Sequence, residues 1–264
     1  MWKLDGDFLD WTRRELKGRA KQVLRTSYWK AFLVSLLLAV LSGGVSSCSY
    51  NSGGGTSVSF PFTGTNGSWG DFTNSPVFVA VMIGAIMLLV FVALLSIAFH
   101  IFVVAPFEVS VMQYFKQAAG EDVNMNYLVY SFQKGKYLAI VKGMLLKNIL
   151  TFLWFLLLII PGIVKTYAYS MVPFILADNP QIGAKRAVEL SKQMTRGQKW
   201  RIFVLDLSFL GWYILGSLAL GIGILFVLPY DHSTKAELYL VLRRQALYDG
   251  LSSAKELNVP EDWQ

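Results

Sequence analysis

Trp29-Lys30-Ala31-Phe32-Leu33-Val34-Ser35-Leu36-Leu37-Leu38 sets an aromatic and a basic residue at the head of a long apolar run. The chain repeats that figure at Lys136-Tyr137 and again at Trp200-Arg201. Each apolar stretch ends in a proline followed by an aromatic residue, at Pro106-Phe107, Pro173-Phe174 and Pro229-Tyr230. Trp and Tyr favour the membrane–water interface, and Lys and Arg concentrate on the cytoplasmic side of membrane helices. The figure therefore predicts an all-α polytopic membrane protein. It has about six transmembrane helices, arranged as three helix-plus-hairpin repeats with both ends inside.

Composition supports a membrane location. Of 264 residues, 54% are hydrophobic and only 16% charged, against about a quarter charged in soluble domains, and the mean hydropathy is +0.46. The net charge of +7 lies beside the apolar runs, so the positive-inside rule accounts for it without nucleic acid. The lone Cys48 excludes an internal disulfide framework. His100 and His232 have no ligand-like spacing, so no metal or other cofactor is expected. Walker A, nucleophile-elbow and HExxH patterns are all missing from the sequence, which argues against an enzyme. The first apolar run starts only at Ala31, so no cleavable secretory signal is expected. Val45-Ser46-Ser47-Cys48 loosely mimics a lipoprotein cleavage box, but the segment before it is longer than a signal peptide.

The spacing predicts one membrane domain over 1–264. Unit one spans 12–120, unit two 124–178 and unit three 181–247, followed by a polar tail at 248–264 that reads as frayed. Unit one opens with an amphipathic helix at 12–26 whose Leu16, Ala20, Val23 and Leu24 share a face. Such a basic helix lies on an anionic inner leaflet, each cation contributing about 1 kcal/mol. Residues 49–75 are rich in Gly and Ser, with no Lys or Arg, and read as an outside loop. The run from Val77 to Phe107 would be about 46 Å long as a helix, so tilt, protrusion or a kink at Pro106 must absorb the excess over a bilayer core of about 30 Å. The third span covers 138–160 and stops at Pro161-Gly162, and a shorter fourth runs from Ile163 to Ala177. Asn179 and Pro180 suit an N-cap and a first helical residue. Aligning Trp200 with Trp29 matches Arg201 to Lys30, Phe203 to Phe32, Arg196 to Arg25, Gln193 to Gln22 and Lys192 to Lys21. The main competitor is a four-span count in which 163–178 and 222–242 lie in the interface.

From 161 to 180 the chain reads Pro-Gly-Ile-Val-Lys-Thr-Tyr-Ala-Tyr-Ser-Met-Val-Pro-Phe-Ile-Leu-Ala-Asp-Asn-Pro. Lys-Trp-Arg-Ile-Phe-Val-Leu-Asp-Leu-Ser-Phe-Leu-Gly-Trp follows at 199–212, and Gly-Ile-Gly at 221–223 precedes Pro229-Tyr230. These stretches resemble a bacterial membrane family of unknown function, DUF975, and Glu15 to Phe32 looks like that family's opening. The layout is also similar, less specifically, to the membrane domain attached to some glycerophosphodiester phosphodiesterases. The resemblance implies a multi-pass protein of the bacterial plasma membrane. It carries over no activity and no catalytic residue.

Ionisable side chains inside a span cost about 2.5–3.5 kcal/mol on insertion scales, so each needs a reason. Asp206 lies roughly 9 Å into its span and Lys147 roughly 15 Å into its own. Lys142 is shallower, Lys165 sits toward the outer end, and Glu108 follows Pro106 near the inner face. Asp206 with Lys147 or Lys142 could line a polar path, or could form an ion pair that docks the hairpins; the second is favoured, because one pair does not make a relay. Tyr167, Tyr169 and Ser170 form a polar-aromatic stripe that could meet a ligand but more often supplies helix packing. Trp29, Tyr137 and Trp200 are candidate interfacial anchors, and Pro106, Pro173 and Pro229 candidate kinks or hinges. Gly216, Gly221 and Gly223 suit a tight turn between close helices.

Three functions remain open at this point. The first is a non-enzymatic envelope scaffold or accessory component, partnered by the bilayer's anionic inner leaflet and by another membrane protein. The second is a small transporter or permease-like protein with a polar path near Lys147 and Asp206. A lipid-acting enzyme rests only on the phosphodiesterase-associated resemblance.

Overall fold

The computed structural model describes residues 11–43, 76–120, 122–218 and 222–259. Cys48, the Gly/Ser-rich loop at 49–75, Gly221 and the tail end at 260–264 lie outside the described residues. Helix α1 spans Arg13–Leu41, α2 Pro76–Phe99 and α3 Ala105–Ala119, the last two joined by a π-helical turn at His100–Val104. A 3₁₀ segment at Met125–Phe132 leads to α4 (Tyr137–Leu157), α5 (Ile159–Ala168) and α6 (Val172–Asp178). A 3₁₀ turn at Pro180–Ile182 precedes α7 (Ala184–Met194), α8 (Lys199–Leu218) and α9 (Ile222–Tyr248). Five stretches are long and apolar enough to cross a membrane: Arg13–Leu41, Phe78–Ala119, Tyr137–Leu157, Ile159–Asp178 and Lys199–Leu218. The protein is thus an all-α, multi-pass membrane protein. The sixth expected span corresponds to α9, whose apolar part ends at Pro229-Tyr230 and which then carries Asp231, Lys235, Glu237, Arg243 and Arg244.

Local chemistry explains where the helices start, bend and stop. Thr12 caps α1 by accepting from the Glu15 amide at 3.3 Å, as a Thr-x-x-Glu start should. Ser27 then donates to the Val23 carbonyl at 3.0 Å. Such a bond back along the helix bends it, and Ser27 is where α1 kinks (φ −131°, ψ 20°). That kink lies two residues before Trp29, and the break between α7 and α8 ends just before Trp200.

Pro106 has no N–H to donate four residues back to Phe102. The chain passes through the π-helical turn just before it, and the Tyr137 hydroxyl donates to the Phe102 carbonyl at 2.7 Å. Tyr137 therefore closes a backbone vacancy as well as standing at the foot of α4. Pro173 is not a mid-helix kink. It sits in the first turn of α6, where a missing N–H costs nothing. Among the three expected kinks, only Pro229 lies within one continuous α-helix.

The third span turns earlier than expected. The reversal falls at Leu158, a single extended residue (φ −161°, ψ 144°), and Pro161 lies within the first turn of α5. α5 folds back so closely on α4 that a Cβ at Gly162 would stand 2.7 Å from the Phe155 ring. A Cβ at Gly216 would likewise meet the Gly223 backbone at 2.7 Å, so those two glycines bring α8 and α9 into contact.

Two zones emerge. Large apolar side chains are exposed over Val79–Phe102, Ile149–Val164 and Leu207–Leu218, as expected where lipid is the solvent. The buried core concentrates in α3, α6, α7, the first half of α8 and the charged half of α9. In α1, Leu16, Ala20 and Leu24 are buried as that helix packs on α9 and α3. The apolar face of the basic helix therefore packs on protein. The tail, expected to fray, packs on the core over its described residues, up to Val259. Leu257 and Val259 are buried, and Asn179 donates to the Glu256 carbonyl at 2.9 Å.

Candidate functional site

The fourth span breaks at Tyr169–Met171 between α5 and α6, which frees backbone groups inside the core. Ser191 and Thr195, one turn apart at the end of α7, resolve this. The Ser191 hydroxyl donates to the Ala168 carbonyl at 2.8 Å and accepts from the Met171 amide at 3.2 Å. Thr195 also reaches the Ala168 carbonyl, at 3.4 Å. A break with its polar groups satisfied can be buried at little cost. It delivers Asp178, at the end of α6, to the centre of the charged zone.

Asp178 is the hub. Its side chain is 2% exposed and pairs with Lys116 of α3, itself 7% exposed. The Tyr239 hydroxyl donates to the other carboxylate oxygen, which also meets Arg243 at 3.1 Å. The Asp178 backbone carbonyl accepts from Asn258 of the tail at 3.0 Å. One carboxylate therefore ties together α3, α6 and α9, and its backbone adds the tail. A carboxylate at a helix C-terminus is disfavoured by the helix dipole, so the two cations offset both that field and the cost of burial. Next to the hub, Arg186 holds Glu256 with two hydrogen bonds, at 2.7 and 3.0 Å, and also donates to the Leu251 carbonyl at 2.8 Å. The Arg186 guanidinium, helped by Ser252, lowers the Glu256 carboxyl to about 2 against the opposing effect of burial.

A cleft of about 560 Å³ opens against the hub, walled by α1, α3, the 3₁₀ segment, α6, α9 and the tail. Arg19, Lys116, Arg243 and Arg244 line it, with Asp178, Glu237, Gln113, Tyr130 and Asn258. Burial, with a smaller contribution from Asp178, raises the Tyr130 phenol to about 12, which keeps it a donor near neutral pH. Gln113 is 5% exposed, and its carbonyl oxygen has no hydrogen-bond partner. Such a buried group costs about 1–3 kcal/mol unless something fills it.

The residues expected to form a polar path separate into different groups. Lys147 pairs with Glu108 at 3.3 Å. Asp206 faces Lys235 of α9 at 3.6 Å, and Lys235 also holds Asp231 at 3.0 Å. The Tyr213 hydroxyl donates to Asp231 at 3.1 Å. Lys147 and Asp206 thus have different partners. Lys142 is exposed, and Lys165 sits over the Trp154 ring at 4.5 Å. The expected stripe also disperses: Tyr167 packs edge-on against Phe203, Tyr169 is buried in the core, and Ser170 bonds the Tyr167 carbonyl at 2.9 Å. Trp29 and Trp200 are exposed, as interfacial anchors would be. His232 is half-buried, with its ring near Phe115, and His100 is exposed in the π-helical turn.

Sequence reasoning missed Asp178, Tyr239, Arg243, Gln113, Arg186 and Glu256. One signal was available: Asp231, Lys235, Tyr239 and Arg243 recur every fourth residue, which puts a polar stripe along one side of α9.

Among the described residues no group of three or more His, Cys, Asp or Glu could hold a metal ion. The fold and its charged zone define a helical multi-pass membrane protein whose buried polar groups are gathered at one end of the bundle. Residues 155–246 of the chain match the model of DUF975, a protein family of unknown function. No curated protein and no solved structure matches the chain.

Proposed function

We propose that the protein is a non-enzymatic scaffold or accessory component of the bacterial plasma membrane, with both termini cytoplasmic and its charged zone at the anionic inner leaflet. The observation that carries this reading is the separation of Lys147 and Asp206 into two local pairs, with Glu108 and with Lys235. A transport path through those side chains would need them to face a common space. The ion pairs instead dock helices: Glu108 joins α3 to α4, Asp206 joins α8 to α9, and Asp178 joins α6 to both α3 and α9. A membrane-protein partner would sit alongside the lipid-facing helices.

Reconstitution into liposomes tests the proposal. Imposed proton, sodium and potassium gradients should decay no faster than in empty vesicles, and chemical cross-linking in native membranes should trap a defined membrane protein. A gradient decay that requires the protein and is abolished by Asp206→Asn would establish the transporter alternative instead.

A further inference from the structure

We infer that the groove between α1 and α8 is a binding site for one anionic phospholipid of the inner leaflet. Arg14, Lys17, Lys21 and Arg25 recur every three or four residues and so share one stripe of α1. Lys17 is half-buried and the other three are exposed. None of the four joins an ion pair among the described residues, and the neighbouring Glu15 is taken by Arg19. Lys17 instead places its ammonium 4.2 Å from the centre of the Phe209 ring, and Lys21 lies 5.8 Å from that of Tyr230. An aromatic face attracts an ammonium without neutralising it, and each ammonium has three N–H donors. Cations along one stripe repel one another until an anion joins them.

The contacts set α1 and α8 side by side. The Arg201 guanidinium lies over the Trp11 ring at 4.4 Å and donates to the Trp11 carbonyl. Further along both helices Lys17 reaches Phe209, so the two run in the same direction. α9 packs against both, and its Tyr230, edge-on to Phe209, forms the floor between them. A lipid site needs an apolar wall as well as cations. α1 does not supply it, because Leu16, Ala20 and Leu24 already pack on protein. α8 does: helical spacing carries the Arg201 side through Ser208 to Trp212 and Leu215, which are 56% and 62% exposed. A phosphate held by Lys17 and Lys21, with an acyl chain along Trp212 and Leu215, uses both walls. An indole suits the level where headgroup meets chain. A soluble polyanion would use the cationic wall alone. The site deepens the inner-leaflet placement of the charged zone and rests on it.

The test uses the full-length protein, delipidated in mild detergent and mixed with phosphatidylglycerol and phosphatidylcholine. Native mass spectrometry should show one phosphatidylglycerol retained at least about tenfold over phosphatidylcholine. Lys17→Gln with Lys21→Gln should bring that preference below about twofold. Lys185→Gln with Lys255→Gln removes the same charge from exposed positions elsewhere and should leave it intact. Dibrominated phosphatidylglycerol should quench the tryptophan emission of the unaltered protein more than that of Trp212→Phe. Glutamine keeps most of the lysine stem, so the melting temperature should hold in both pairs of substitutions. The inference is overturned if the two lipids bind alike, if the Lys17 and Lys21 pair keeps the preference, if the control pair loses as much, or if Trp212→Phe is quenched as strongly as the unaltered protein. Detergent has no inner or outer face, so these outcomes judge the site alone. The scaffold reading is judged separately, by gradient decay and cross-linking.

Discussion

Replacing Asp178 by Asn keeps the shape of the side chain and removes only its charge. Lys116, 7% exposed, is left as a buried ammonium with no counter-ion, while Arg243, 13% exposed, can still turn toward the cleft. Truncating one partner of a buried pair costs about 3–5 kcal/mol. The hydrogen bond from Tyr239 also drops from a charged to a neutral acceptor, a loss of about 1 kcal/mol. Partial escape by Arg243 offsets some of this, so a destabilisation of about 4 kcal/mol is expected, close to a thousandfold in the folding equilibrium. SDS-driven unfolding of the purified protein in mild detergent, followed by tryptophan fluorescence, would measure it. A double-mutant cycle supplies the control: adding Lys116→Gln should restore about 2 kcal/mol, because the stranded cation is gone. A cost below about 1 kcal/mol for Asp178→Asn, or no recovery in the double variant, would refute the hub as described.

Other consequences follow from single contacts. Tyr137→Phe strands the Phe102 carbonyl beside Pro106 and should cost about 1–3 kcal/mol in the same assay. Gly216→Leu drives a side chain into the Gly223 backbone, so unfolding should occur at lower SDS by at least about 2 kcal/mol. Because Arg186 lowers the folded carboxyl of Glu256 to about 2 from an ordinary 4.5, the tail's attachment is complete above about pH 4.5 and weakens as pH falls toward 2. Pepsin cleavage within 249–259 should accelerate over that window, and Glu256→Gln should raise cleavage at its upper end and flatten the pH response.

How much of this was legible in the sequence depends on the range of the forces involved. Membrane helices are written locally, in apolar runs whose lengths match a bilayer and whose ends carry Trp29, Trp200 and the basic residues. Asn179 is local too, and it caps as its neighbours suggest, accepting from the Gln181 amide at 2.9 Å. The turn at Leu158 falls three residues before Pro161-Gly162, because a proline is tolerated in a first helical turn and Gly162 has no side chain to clash with Phe155 across the reversal. Asp178 reads as turn punctuation in Asp-Asn-Pro, because its partners Lys116 and Tyr239 lie 62 and 61 positions away. Glu256 is similarly obscure: a polar tail looks frayed until Arg186, 70 positions earlier, is brought beside it. Lys147 and Asp206 were conspicuous as charges within apolar runs, but their partners Glu108 and Lys235 were not, since charge and depth alone do not determine which helices touch.

The charges within the apolar spans form separate helix-docking pairs, which charge exchange would reveal. Glu108→Lys and Lys147→Glu should each lower the melting temperature in detergent, and the double exchange should recover most of the loss. Exchanging Lys147 with Asp206 should recover nothing. Recovery by the Lys147–Asp206 exchange, with none from Glu108–Lys147, would rule out the separate pairs and return those two residues to a shared polar path.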